Sequence, residues 1–253
     1  MTSAIILKSA SELTIMEEAN QIVAQTLCMV REHVTPGVTT LQLDQLAEKY
    51  ARKKNAVPAF KGYRGYPGSL CVSLNEQVVH GIPSRKVVLK EGDILSIDFG
   101  VKYKGYYGDA AVTVPVGNIN KEAANLLQIT QESLYKAIEQ VQVGNRISDI
   151  SQAVQDYVEE RGYSVVRQFV GHGIGQHLHE PPEIPNYRRA GRSPKLLAGM
   201  VLAIEPMVNA GAHEVKILGD GWTVVTNDRS LSAHFEHSVA VTENGPLILS
   251  HGL

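Results

Sequence analysis

Gly92-Asp-Ile-Leu-Ser-Ile-Asp98 and Gly199-Met-Val-Leu-Ala-Ile-Glu205 are two glycine-led apolar stretches, each ending in an acid. The offset between the acids, 205 minus 98, is 107, and the same offset relates Gly37 to Gly144, Gln45 to Gln152 and Tyr50 to Tyr157. An offset that holds over helical and extended segments alike points to internal pseudo-symmetry. The chain is therefore expected to be one domain, 1–253, made of two similar α+β halves, about 10–116 and 117–253. Two such halves form a cleft between them, and both acids are expected to face it.

Working outward, Ser9 with Glu12 has capping-box spacing, and Leu13, Met16, Ala19, Ile22, Val23 and Leu27 follow at helical spacing until Pro36-Gly37. A second helix is predicted from about Leu41 to Lys54, with Asn55 as a left-handed cap. Strands are predicted over Ser69–Val79, Asp93–Val101 and Tyr106–Val116. Helices are predicted over Lys121–Gln140 and Ile147–Arg161, then strands over Ser164–Val170, Met200–Val208 and Trp222–Thr226.

With 253 residues, 43% of them hydrophobic, the chain can bury a full core. A net charge of -2 provides no basic field for bulk nucleic acid. Cys28 and Cys71 have no spacing that suggests a disulfide framework or zinc site, which fits a reducing cytosol. Met1 to Lys8 holds only a short apolar run, Ala4 to Leu7, without a basic leader, so a mature, soluble protein with no membrane partner is expected.

Four acids and a histidine carry the chemistry. Asp98 and Asp109 flank a hairpin. If Val101 pairs with Tyr106 around a loop at Lys102 to Gly105, Asp98 stands directly opposite Asp109. Opposed carboxylates destabilise a sheet unless something neutralises them, and a metal ion would. His172 lies in Gly171-His-Gly-Ile-Gly175, where glycines allow close approach, and His177 and His179 follow before Glu180-Pro181-Pro182. Pro206 biases Glu205 to an extended backbone. Glu236 sits in Ser232-Ala-His-Phe-Glu-His-Ser238. Singly, each acid would be assigned to an ion pair or a solvated face; together they form a cage for divalent metal.

Val79-His-Gly-Ile-Pro83, Ser96-Ile-Asp-Phe-Gly100, Gly105-Tyr-Tyr-Gly-Asp-Ala110, Gly171-His-Gly-Ile-Gly175, Leu178-His-Glu-Pro181, Ala203-Ile-Glu-Pro206 and Phe235-Glu-His237 follow one another along the chain. In that order they resemble the signatures of the methionine aminopeptidases, in the short bacterial type I form of peptidase family M24. The resemblance covers essentially the whole chain. It implies the pita-bread fold, an α+β pseudo-two-fold arrangement of antiparallel sheets covered by helices. The resemblance is to the form expected to lack an N-terminal zinc-binding extension and a type II insertion.

The resemblance also implies roles. Asp98 would bind one metal, Asp109 and Glu236 would bridge both, and His172 with Glu205 would complete the other. An oxygen-rich set with one imidazole suits Mn, Fe, Co or Zn. Two such ions can turn a shared water into a hydroxide nucleophile and polarise the scissile carbonyl. Glu205 would shuttle the proton, His179 would stabilise the oxyanion, and His80 would contact substrate beside the scissile bond. Tyr63, Tyr66, Cys71, Leu178 and Trp222 would line the methionine pocket, and Leu178 stands where relatives often carry Phe. His177 and His234 also depart from the commonest residues. The expected reaction is removal of the first methionine from nascent chains with a small second residue, in the cytoplasm, by a monomer.

Arg52-Lys-Lys54 and Arg188-Arg189 through Lys195 are expected to be solvated surface, with ribosome docking as a functional reading. Two rival functions remain at this stage. One is an X-Pro aminopeptidase or prolidase of the same fold, and the other is a non-catalytic binding homologue.

Overall fold

The Ser9 side chain accepts from the Glu12 amide while the Glu12 carboxylate accepts from the Ser9 amide, and this reciprocal cap opens helix α1, Ala10–Arg31. Thr39 and Gln42 form the same box at α2, Thr40–Lys53, and Asn55 takes the expected left-handed conformation (φ 59°). Helices α3, Lys121–Glu139, and α4, Ile147–Glu159, also begin as predicted. The computed structural model describes residues 4–253; Met1 to Ser3, part of the segment read as the mature start, lie outside the described residues. Among the described residues no helix is long and apolar enough to cross a membrane.

The strands in chain order are β1 (Val57–Pro58), β2 (Cys71–Leu74), β3 (Gln77–Val79), β4 (Ile94–Tyr103), β5 (Tyr106–Pro115), β6 (Ser164–Val165), β7 (Gly171–Gly173) and β8 (Glu180–Ile184). They continue with β9 (Val201–Ile204), β10 (Met207–Asn209), β11 (Val215–Ile217), β12 (Val224–Thr226), β13 (Ser232–His234), β14 (Glu236–Thr242) and β15 (Gly245–Ile248). A nine-stranded antiparallel sheet runs β1-β4-β5-β14-β9-β7-β8, with β2 also on β4 and β15 on β14. Two three-stranded sheets, β13-β10-β6 and β11-β12-β3, complete the fold. This is the expected α+β class.

Leu95, Ile97, Phe99 and Val101 of β4 are all fully buried, and they join the main core with residues of all four helices. Alternation sends Ser96, Asp98 and Gly100 to the other face. Phe99 is among the largest fully buried side chains, and its truncation to Ala is expected to cost about 3–5 kcal/mol. A smaller apolar cluster, including Phe60, Tyr66, Cys71, Leu178 and Val201, is separate from that core.

The offset of 107 recurs in three dimensions. It relates the first residues of α2 and α4, Thr40 and Ile147, and those of β4 and β9, Ile94 and Val201. It also relates the bridge Thr39↔Val88 to Arg146↔Lys195, and Lys54 over the Tyr50 ring to Arg161 over the Tyr157 ring. Gly92 and Gly199 share a left-handed backbone, at φ 89° and 90°.

Several expectations need correction. The β4–β5 hairpin closes with Tyr103↔Tyr106 around Lys104 and Gly105, both left-handed (φ 47° and 90°). That two-residue turn moves the register, so Asp98 faces Ala111 and Asp109 faces Gly100. The two acids are diagonal neighbours on one face instead of an opposed pair. The single strand expected over Ser69–Val79 is broken at Asn75 (φ 54°), and its second piece, β3, pairs with β12 in another sheet. Met200–Val208 is broken by Glu205-Pro206, and Ser164–Val170 keeps only two paired residues. Strands β1, β7, β8, β11, β13, β14 and β15 lie outside the predicted stretches.

Candidate metal centre

Strand register brings the acids together. Asp98 on β4 pairs with Ala111 on β5, and Ala111 pairs with Glu236 on β14. Asp109, two residues before Ala111, points to the same side. The β14–β9 ladder ends at His237↔Ile204, so one further step sets Glu205 level with Glu236. Ala203, on the Glu205 side of β9, pairs with His172 on β7. Five neighbouring strands thus deliver Asp98, Asp109, Glu236, Glu205 and His172 to one face of one sheet.

Ligand atoms of Asp109, His172 and Glu236 all lie within 4.8 Å of one another, and the three residues are buried. His172 Nε2 is 3.5 Å from Glu205 Oε1, while Nδ1 lies 3.0 Å from the Gly173 carbonyl oxygen. With Nδ1–H donating there, the Nε2 lone pair points into the cluster, the tautomer a metal ligand needs. Asp98 Oδ1, Asp109 Oδ1 and Glu236 Oε1 are buried without a hydrogen-bond partner. Uncompensated buried carboxylates cost several kcal/mol each, and hard oxygens with one imidazole are the donors divalent first-row ions take. The residues present therefore fit such a metal, and four carboxylates balance two divalent cations in charge.

The electrostatics agree. Burial pushes the Asp98 carboxyl up to about 7, helped by Glu205, and pushes Glu205 up to about 8. Burial first, then neighbouring carboxylates, raise Asp109 and Glu236 well above the usual range. Burial also pulls His172 down to about 3, so it is neutral and can ligate. Space around the acids is kept by small residues. A Cβ at Gly100 would lie 3.1 Å from Asp109 Oδ1 and 3.0 Å from the Phe60 ring.

A cavity of about 280 Å³ opens onto the cluster. All four acids and the histidine line it, and so do Tyr63, Tyr66, Cys71, His80, Leu178, His179 and Trp222. Tyr66 meets Trp222 edge-on at 5.2 Å and anchors its hydroxyl on the Leu70 and Gly81 carbonyls. His80, left-handed at φ 61°, stands edge-on to Phe169 and Trp222, and burial holds it down to about 4. Such a backbone is uncommon for a non-glycine residue and clusters at functional sites. His179 Nδ1 is 2.8 Å from the Tyr63 hydroxyl, and its ring centroid is 4.3 Å from that of His172.

Phe60, Arg64 and Phe169 also line the cavity and were not anticipated. Arg64 is left-handed in a short 3-10 turn, and Phe169 lies between β6 and β7, so neither belongs to a periodic pattern. His177 is exposed and outside the cavity wall, while His234 is buried behind it. Both basic stretches are exposed, with Arg52 on Glu48 at 2.8 Å and Arg189 on Glu183 at 2.6 Å.

Comparison with known proteins agrees with this geometry. A methionine aminopeptidase of Clostridium acetobutylicum is 54% identical over 246 residues, covering 97% of this chain and 98% of the relative. The crystal structure of methionine aminopeptidase from Thermotoga maritima superposes with a TM-score of 0.96 at 47% identity, covering 98% of this chain and 99% of that one. A prolidase from Pyrococcus furiosus superposes at 0.81 with 25% identity, and this chain, 98% covered, spans 66% of it. These neighbours share the pita-bread fold. Residues 14–243 match metallopeptidase family M24, and the chain belongs to that family.

Proposed function

We propose that this chain is a metal-dependent aminopeptidase that removes the N-terminal methionine from newly made polypeptides whose second residue is small. The observation that carries the reading is the set of five metal-capable side chains at an apolar cavity, with three carboxylate oxygens left bare. Relatives named methionine aminopeptidase, similar over nearly their whole length, support the same activity. The catalytic unit is the single domain with its two halves. Partners are nascent N-termini in the cytoplasm, met by a monomer in transient association with the ribosome.

Asp98 would hold one ion, His172 with Glu205 the other, and Asp109 and Glu236 both. When bound, such ions acidify water and polarise a carbonyl. Co, Mn, Fe and Zn all suit the donors, and two ions per chain match the four carboxylates.

The protein's own groups do the rest. If the Tyr63 hydroxyl donates to His179 Nδ1, the proton of His179 sits on Nε2, which can then donate to the carbonyl oxygen as charge develops. Glu205, one residue beyond its strand, takes a proton from water and returns it to the leaving amine. Tyr66, Cys71, Leu178 and Trp222 form the apolar wall for an unbranched thioether. His80 orients the peptide beside the scissile bond. A free substrate α-amine facing the metal would restrict cleavage to the first residue.

Hydrolysis of Met-Ala-Ser and of Ala-Pro-Ala by the metal-loaded protein tests this reading. Release of Met from the first, lost on chelation and restored by metal, is expected. Cleavage of Ala-Pro-Ala alone would favour the prolidase-like alternative, and cleavage of neither the non-catalytic one.

A further inference from the structure

His234 is buried, and its Nε2 has no hydrogen-bond partner. That nitrogen lies 3.6 Å from Glu205 Oε2, while His172 Nε2 lies 3.5 Å from Glu205 Oε1. Two imidazoles therefore bracket one carboxylate, one at each oxygen. They differ in one respect: His172 and Glu205 line the cavity, and His234 does not. His234 lies against Glu205 and outside the cavity lining.

The backbone fixes where this ring stands. The His234 amide donates to Thr113 Oγ1 at 2.9 Å, and the Thr113 hydroxyl donates to the His234 carbonyl at 2.8 Å. On β13, His234 pairs with Met207, the second residue after Glu205. Thr113 lies on the cluster's face of β5, two residues beyond Ala111, so the support for the ring is part of the same sheet. A hydrogen bond between them needs the pair brought from 3.6 Å to about 3 Å.

We propose that His234 is a positioning residue of the metal centre: its Nε2–H donates to Glu205 Oε2 and holds the carboxylate with Oε1 turned toward His172 and the cavity. The proposal rests on the metal-centre reading above. Partners that orient a ligand carboxylate set metal affinity, and their loss typically weakens it about 10–100-fold.

The test uses the metal-free protein and Co(II), followed by calorimetry and visible absorption, in wild type, H234F and H234Q. Phe keeps a planar ring of similar size without a donor, whereas the Gln amide can donate from the same place. Thermal unfolding of each metal-free protein checks the fold, and H234M replaces H234F should the latter not fold. The expected result is Co(II) binding at one ion about tenfold or more weaker in H234F, with an altered absorption band, and recovery to within about threefold of wild type in H234Q. Equal affinity in H234F and wild type overturns the proposal, as does H234Q as weak as H234F. A wild type that takes up no Co(II) overturns the metal reading itself, which distinguishes the two failures.

Discussion

Asp98 and Glu205 each stand four residues after the first residue of their strand, β4 and β9, yet only Asp98 is held in a ladder on both sides. Pro206 follows Glu205 and β9 ends at Ile204, so the equivalent acid of the second half stands extended just outside its ladder. The two positions therefore suit different tasks, Asp98 as a ligand alone and Glu205 as a ligand that also carries a proton.

That difference predicts different losses. Glu205→Gln should lower kcat by about 10²–10⁴-fold. Asp98→Asn should act first on metal affinity, and activity should recover in part when metal is raised. Steady-state kinetics across a metal titration separate the two patterns.

Tyr63 should act through His179. Removing the hydroxyl that lies 2.8 Å from Nδ1 leaves the ring free to rotate and to change tautomer. Tyr63→Phe is expected to lower kcat/KM by roughly tenfold, the worth of one hydrogen bond. Metal content, measured by elemental analysis, should stay unchanged.

Gly100 should be intolerant of a side chain for a reason of space. An added Cβ meets the Phe60 ring at 3.0 Å, Asp109 Oδ1 at 3.1 Å and the Ala59 Cβ at 3.2 Å. Gly100→Ala is expected to cost about 1–3 kcal/mol in chemical unfolding and to weaken metal binding by displacing Asp109.

Acid sensitivity should report Glu48, far from the cluster. Its carboxylate accepts from Lys61 at 2.8 Å, from Arg52 and from Ser69, and these bonds hold it down to about 2 against an ordinary 4.5. A depressed carboxyl stabilises the fold above its unfolded pKa, and the benefit is lost as pH falls through the folded one. Stability should therefore decline between about 4.5 and 2. Glu48→Gln should flatten that part of the profile in thermal unfolding, modestly, because both cationic partners are about half exposed.

Much of the fold was legible because its signals are local. Ser9 with Glu12 and Asn55 with its left-handed turn act within a few residues, so helix ends could be read directly. Strand pairing is set by distant partners, and there the reading failed in particular places. Lys104 is a left-handed residue that carries no sequence signal of its own, and its turn shifted the hairpin register. Asn75 breaks the strand predicted over Ser69–Val79, and its side chain bonds Asp93 and the Ile94 amide. The Gly-His-Gly of β7 and the Glu-Pro-Pro of β8 lack any strand propensity and are ordered by neighbours. The ligand candidates lie together despite the shifted register, because Asp98 and Asp109 share one face whether opposed or diagonal. Phe60, Arg64 and Phe169 reach the cavity from irregular segments, where spacing says nothing.

Five side chains on or beside five adjacent strands are positioned to hold divalent cations. Titration of the chelated, metal-free protein with Mn(II) or Co(II), read by calorimetry alongside Met-Ala-Ser cleavage, tests it directly. Two ions should bind per chain, with activity returning as the sites fill and both signals lost when Asp109 and Glu236 are replaced together by Asn and Gln. Full activity in the chelated protein, or tight binding retained by that double variant, would contradict it.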